Sequence, residues 1–133
     1  MTRNLDWKWI GIGVAIMIGL NLVVSLVLGL FLAPQLGEVT DIEDVALSSG
    51  QMALLAIANF LVFAVGGYIV GLKSSGRTIL EPGISAAIAV ILVLLLSGNF
   101  SLGSVVAGGL VPFLAGVLGG WLGERRQEAA AAR

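Results

Sequence analysis

Along this chain apolar positions neither alternate with polar ones nor recur as a helical stripe; they run on almost without interruption. Four such runs, at about residues 10–33, 52–72, 79–98 and 102–123, are separated by polar segments, and no Asp, Glu, Lys or Arg falls within them apart from Glu81 at the edge of the third. At ~1.5 Å rise per residue, each run approaches the ~20 residues a helix needs to cross a hydrocarbon layer. Lipid offers backbone N–H and C=O groups no partner, so a spanning segment is a helix or a strand of a closed barrel, and the alternation of barrel strands is missing here. The pattern predicts an all-α integral membrane protein: a four-helix transmembrane bundle forming a single membrane domain over residues 1–133.

The segments between the runs refine this picture. Residues 34–51 form the one long loop, in which Thr40-Asp-Ile-Glu43 has the form of a capping box and Ile42, Val45 and Ala46 an apolar stripe, predicting a short helix on the membrane face. Residues 73–78 form a short loop and 124–133 a tail. At the start of the third run two readings compete: Thr78 as a cap with Glu81 closing a capping box, or Glu81 leading into Pro82 at the first helical position. The second is preferred, because proline at the fourth position deletes a backbone hydrogen bond. The first run follows Arg3 and Lys8 like a signal peptide, but it is long and its weak cleavage candidate near Ala33 precedes Pro34, so it is expected to stay as a span.

Composition agrees, with 58% hydrophobic and 11% charged residues and a mean hydropathy of +1.05, against roughly 25% charged in soluble domains. The absence of Cys and His removes disulfides, thiolates, sulfur metal sites and the usual proton shuttle. A net charge of −1 gives no reason to expect a nucleic-acid partner. The positions of the bases say more. Arg3 and Lys8 precede span 1, Lys73 and Arg77 separate spans 2 and 3, and Arg125, Arg126 and Arg133 follow span 4. By the positive-inside rule these segments, and with them both termini, are expected on the cytoplasmic side. The long loop carries Glu38, Asp41, Glu43 and Asp44 and no base, and is read as a solvated acidic loop outside rather than a cation site. Trp7, Trp9, Tyr68 and Trp121 fall at the cytoplasmic span ends, where amphipathic rings anchor.

Spans 2 and 4 superimpose at a constant offset: Phe60-Leu61 on Phe113-Leu114, Gly66-Gly67 on Gly119-Gly120, Tyr68 on Trp121 and Lys73 on Arg126. Read as duplication, this predicts a tandem repeat of two helical hairpins in parallel orientation about an axis along the membrane normal; a Gly- and Leu-rich chain also matches itself by chance. The chain has 19 Gly, and small residues let helix backbones approach in lipid. Gly109, Gly116, Gly120 and Gly123 share one face of span 4, with Gly108 and Gly119 beside it; Gly67-x-x-x-Gly71 marks span 2, and Gly11, Ala15 and Gly19 mark span 1. These faces are expected to be helix-packing interfaces. Ile88 to Leu96 offers no narrow face and is expected to meet lipid or a large apolar partner.

Asn21, Ser25 and Gly29 share a face of span 1, Asn59 lies in span 2, and Pro112 of span 4 frees the carbonyl of Gly108. These groups are expected to converge within the membrane, as interhelical hydrogen bonds or as a wet, uncharged site for an ion or small solute. Catalysis needs a nucleophile or acid–base pair in contact, and the spans supply only isolated Ser, Asn and backbone groups; Lys73 beside Ser74 and Ser75 reads as a turn with a snorkelling base. No enzyme activity and no cofactor are expected.

The stretch Gly66-Gly-Tyr-Ile-Val-Gly-Leu-Lys-Ser-Ser-Gly-Arg-Thr-Ile-Leu-Glu-Pro82, followed by a small-residue span and a Gly-rich fourth span ending Leu-Gly-Gly-Trp-Leu-Gly123, resembles a group of small bacterial four-span membrane proteins. That resemblance implies a bacterial plasma membrane and carries no activity with it. Small multidrug transporters share the size and span number but rely on a first-span carboxylate, which this chain lacks. The third-span break of fluoride channels is also missing. The sequence reading is therefore a non-enzymatic membrane protein that works by helix-helix association, as an accessory or structural subunit of a larger complex or as a self-assembling scaffold. Its partners would be other membrane subunits or copies of itself, together with membrane lipids reached by Lys73, Arg77, Arg125 and Arg126. The alternative is a small oligomeric channel or facilitator lined by Asn21, Ser25, Asn59 and the Gly108 carbonyl.

Overall fold

A computed structural model describes residues 4–36, 47–75, 79–98 and 101–133. It contains four helices: α1 (Trp7–Leu36), α2 (Ser49–Lys73), α3 (Leu80–Ser97) and α4 (Leu102–Ala131), with no strand among the described residues. Three of them, over Trp7–Gln35, Ser49–Lys73 and Leu80–Ser97, are long and apolar enough to cross a bilayer, with mean hydropathies of 2.6, 2.2 and 2.2. The capping box expected at Thr40–Glu43, the four loop carboxylates, Arg3 and Arg77 lie outside the described residues.

The helix ends have local causes. Asp6 precedes α1, and its carboxylate accepts from the backbone N–H of Lys8 (3.2 Å) and Trp9 (3.3 Å), satisfying donors that have no partner within the helix. Ser48 caps α2 in a complete capping box: its hydroxyl accepts from Gln51 N–H while the Gln51 side chain accepts from Ser48 N–H. α3 starts at Leu80, not at Pro82. Pro82 is thus the third helical residue, still within the first turn, where an N–H has no intrahelical acceptor and its loss costs nothing. α3 ends at Gly98, whose φ of 67° is a left-handed conformation that favours glycine. α4 runs past the expected boundary at Gly123 and on through the charged tail to Ala131, with the Arg125 guanidinium stacked 4.1 Å above the Trp121 ring.

Packing is uneven along the bundle. α2 touches α1, α3 and α4, and α3 touches all the others, whereas α1 and α4 do not meet. The core comprises Met17, Phe63, Ala86, Ala89, Val90 and Ala115. From there to the charged end the helices are closely packed. In the other half they spread apart, and Leu22, Leu26 and Leu30 of α1 and Leu95 and Leu96 of α3 stand exposed. The exposed run at the end of α3 agrees with its aliphatic sequence.

The closest approach is between α2 and α4, which run in the same direction. A Cβ added at Gly67 would collide with the backbone of Gly116, and one at Gly71 would lie 2.7 Å from the Cα of Gly120. One at Gly119 would strike the Ala64 carbonyl, and one at Gly123 would come 2.5 Å from the Tyr68 carbonyl. Two glycines four apart on each helix are thus interleaved, the small-residue packing that lets helices gain dispersion contacts where lipid removes the hydrophobic drive. Gly116 also faces α3, with the Pro82 carbonyl 2.7 Å from its added Cβ.

Span 1 packs differently from expectation. Gly11, Ala15 and Gly19 are exposed, and an added Cβ at Gly11 or Gly19 meets nothing within 4 Å. The face turned to the bundle is Ile10, Gly13 and Met17: a Cβ on Gly13 would lie 2.6 Å from the Ser85 hydroxyl, and Met17 packs over Gly66. Both sets have helical spacing, so spacing alone does not choose between them.

Candidate functional site

Two groups of polar side chains interrupt this apolar frame, one buried at the charged end and one partly exposed between α1 and α2. The first gathers at the charged end. Glu81, in the first turn of α3, is wholly buried, and its carboxylate accepts from the Asp6 backbone N–H (2.6 Å) and from the Ser74 hydroxyl. Ser74, just beyond α2, is also fully buried; its own N–H reaches the Val70 carbonyl (2.7 Å), and its carbonyl accepts from Gln127 of α4 (3.4 Å). The hydroxyl of Ser85, one turn into α3, sits between the carbonyls of Glu81 (2.9 Å) and Ile10 (3.1 Å). The carboxylate thereby ties together the start of α1, the end of α2 and the start of α3, and Gln127 adds α4. These contacts place Asp6, Lys73 to Ser75 and Gln127 at one end of the bundle. A buried carboxylate is tolerated only with such hydrogen-bond donors. The sequence reading, in which Glu81 merely leads into Pro82, missed this role.

The second group lies along the apolar stretches of α1 and α2, beyond the core residue Met17. The Asn21 side-chain N–H donates to the Asn59 side-chain oxygen at 3.1 Å, and the Ser25 hydroxyl donates to the Asn21 oxygen at 3.5 Å. The expected convergence of Asn21, Ser25 and Asn59 is thus present, and it joins α1 to α2. A cavity of about 210 Å³ lies on one side of the pair, walled by Met17, Phe63, Val90 and Val93 and bounded by Gly108 of α4. A second, of about 440 Å³, lies on the other side between α1 and α2, with Ser25, Leu28, Gly29, Leu55 and Ala58 in its wall. Asn21 and Asn59 belong to both. Beyond them α1 and α2 close again, where Leu32 is buried and the Gln51 amide N–H lies 3.5 Å from the Gln35 side-chain oxygen.

Of the expected packing residues, Gly67, Gly71, Gly116, Gly119, Gly120 and Gly123 come together in the α2–α4 seam, but Gly109 does not: an added Cβ there meets nothing within 4 Å. It lies nearer the end where α4 leaves its neighbours. Lys73, Arg125 and Arg126 are exposed at the charged end. No group of three or more acidic, His or Cys side chains suited to a metal occurs among the described residues. No family model, curated protein or solved structure matches the chain.

Proposed function

We propose that this chain is a non-enzymatic, multi-pass membrane protein that works by helix-helix association, as an accessory or structural subunit of a larger membrane complex or as a self-assembling scaffold. The observation that carries this reading is a contrast among glycines. Gly67 and Gly71 of α2 and Gly116, Gly119 and Gly123 of α4 face backbone at close range within the chain, whereas Gly11, Gly19 and Gly29 of α1 meet nothing. Only 6% of the apolar window of α1 is buried, against 28% and 39% for α2 and α3. Leucine facing lipid needs no explanation, but glycine in a helix costs about 1 kcal/mol relative to alanine and gives lipid nothing to pack on. A narrow face kept open on the most apolar helix suits a second helix from another chain.

The test separates this face from the internal seam. Gly11→Leu with Gly19→Leu places side chains in open space, so the chain should keep its thermal midpoint while its assembly in mild detergent falls to monomer mass by light scattering. Wild-type protein that is already a monomer and carries no other subunit through gentle purification would sink the proposal.

The reading includes a fourth crossing by α4 and a bacterial plasma-membrane orientation with the charged end cytoplasmic, in keeping with the inner-loop resemblance and with the bases concentrated there. Because the chain has no Cys, single cysteines introduced at Ser75, Ala131 and Gln51 can report sidedness. The first two should react with an impermeant maleimide only after the membrane is opened, and the third in intact cells. The tandem-hairpin relation draws support from the central α2–α4 pairing, although α3 touches α2 while α1 does not touch α4, so the two hairpins do not pack alike. The facilitator alternative has less support, because the packed half between Met17 and Glu81 leaves the amide pair without a polar path to the charged end.

A further inference from the structure

The amide pair has more donors than the protein uses. Two primary amides carry four N–H groups, and the bond between Asn21 and Asn59 consumes one; Ser25 occupies an acceptor, not a donor. As placed, Ser25 takes none of the amide N–H groups; with Asn21 turned the Ser25 oxygen would accept one, which still leaves two. Among the described residues no protein acceptor takes the remaining three. They border two cavities whose other walls are apolar apart from Ser25 and the glycine backbone, and an N–H left without an acceptor in hydrocarbon is costly. An occupant that fits must bring acceptor oxygen. It must also be uncharged, because no Lys, Arg, Asp or Glu lines either cavity.

Depth narrows the class. Asn21 is about 14 residues along α1 from Trp7 and Asn59 about 14 before Lys73, or ~21 Å from the charged end at ~1.5 Å per residue. In a hydrocarbon layer ~30 Å thick, the pair lies within the far leaflet, below the ester and headgroup zone of phospholipids. We propose that the cleft between α1 and α2 binds the carbonyl group of an uncharged lipid dissolved in the hydrocarbon layer. The carbonyl would accept from the amides, and the apolar body would lie in the two cavities. Isoprenoid quinones and glycerides of fatty acids both offer this chemistry. The cleft shares Gly29 with the open face of α1 but involves neither Gly11 nor Gly19, the positions at which association is tested.

The test uses the full chain in lipid nanodiscs, titrated separately with a radiolabelled long-chain quinone and with radiolabelled diacylglycerol, and protein-free discs to subtract partition. Saturable, stoichiometric uptake of one probe is expected, and the probe that saturates identifies the source. Replacing both Asn21 and Asn59 with Leu should weaken that binding by about tenfold or more, as loss of buried hydrogen bonds implies. Gly29→Leu keeps both amides but fills space in the larger cavity, where an added Cβ meets nothing, and it should weaken binding as well. If the double variant fails to fold, the Gly29 variant decides. Uptake of both probes no greater than in empty discs, or saturable binding that folded variants retain in full, would overturn the proposal.

Discussion

Gly119→Leu should abolish the folded bundle. Its Cβ alone would collide with the Ala64 carbonyl and come within 2.8 Å of the Tyr68 amide nitrogen, and backbone cannot give way as the end of a flexible side chain can. Overpacking in a closed core costs about 1–3 kcal/mol where neighbours can shift; here the helices themselves must separate, so the loss should exceed about 4 kcal/mol, the range reserved for a broken core. Gly109 supplies the control. It lies on the same helix with open space around it, so Gly109→Ala should be neutral or stabilising by up to about 1 kcal/mol from helix propensity. Unfolding by denaturing detergent, followed by circular dichroism and tryptophan fluorescence, reads both. Equal, small effects at the two positions would mean that α2 and α4 do not meet as described. The same comparison separates fold from assembly: Gly116→Leu or Gly120→Leu acts inside the chain, and only Gly11 and Gly19 address a partner.

The second large effect is expected at Glu81. Removing the carboxylate as Glu81→Leu takes away an acceptor of the part-buried Asp6 N–H and of the buried Ser74 hydroxyl. A hydrogen bond contributes about 0.5–1.5 kcal/mol net, and removing one buried partner adds a desolvation cost of about 1–3 kcal/mol. A loss of about 3–5 kcal/mol is therefore expected, with protease sensitivity appearing first at the charged end. Glu81→Gln keeps one acceptor oxygen and should lose less than half as much. Ser74→Ala removes one donor and should fall between wild type and Glu81→Leu. If Glu81→Leu unfolds at the wild-type midpoint, the carboxylate is not the tie between the helices.

Much of the architecture was legible in the sequence because it rests on local physics. Uninterrupted apolar runs mark the helices, and Gly67-x-x-x-Gly71 faces Gly116 and Gly120 because a spacing of four puts small residues on one side of a helix wherever they occur. The α1 face was misread because Gly11, Ala15 and Gly19 have the same periodicity as Ile10, Gly13 and Met17, and which set turns inward depends on Ser85, Val70 and Gly66 in other helices. Glu81 was read through its neighbours in sequence, while its partners at Asp6 and Ser74 are assembled only by the fold. The extension of α4 to Ala131 was missed for a different reason. Hydropathy marks where an apolar run stops, whereas Glu124 to Ala131 is rich in strong helix formers and continues the helix past it. The Ser48–Gln51 capping box, by contrast, has the Ser-x-x-Gln spacing that a sequence shows directly. The amide pair was legible as residue types on a shared face, but the two cavities beside it depend on how far the helices spread.

The α2–α4 seam also dictates an order of events during synthesis. Gly67 and Gly71 belong to the second helix to emerge, and their matching surface on Gly116 and Gly120 emerges only with the fourth, after α3 is complete. Until then the nascent chain holds an unfilled notch in α2, and the interactions available are the weaker ones between α1, α2 and α3. Closure is therefore a late, non-local event, and maturation must wait on the last helix. An arrested chain ending before Gly116 would present that notch to any small-faced helix nearby, so quality-control factors that survey helices in the bilayer would have a specific mark by which to tell an unfinished molecule from a finished one.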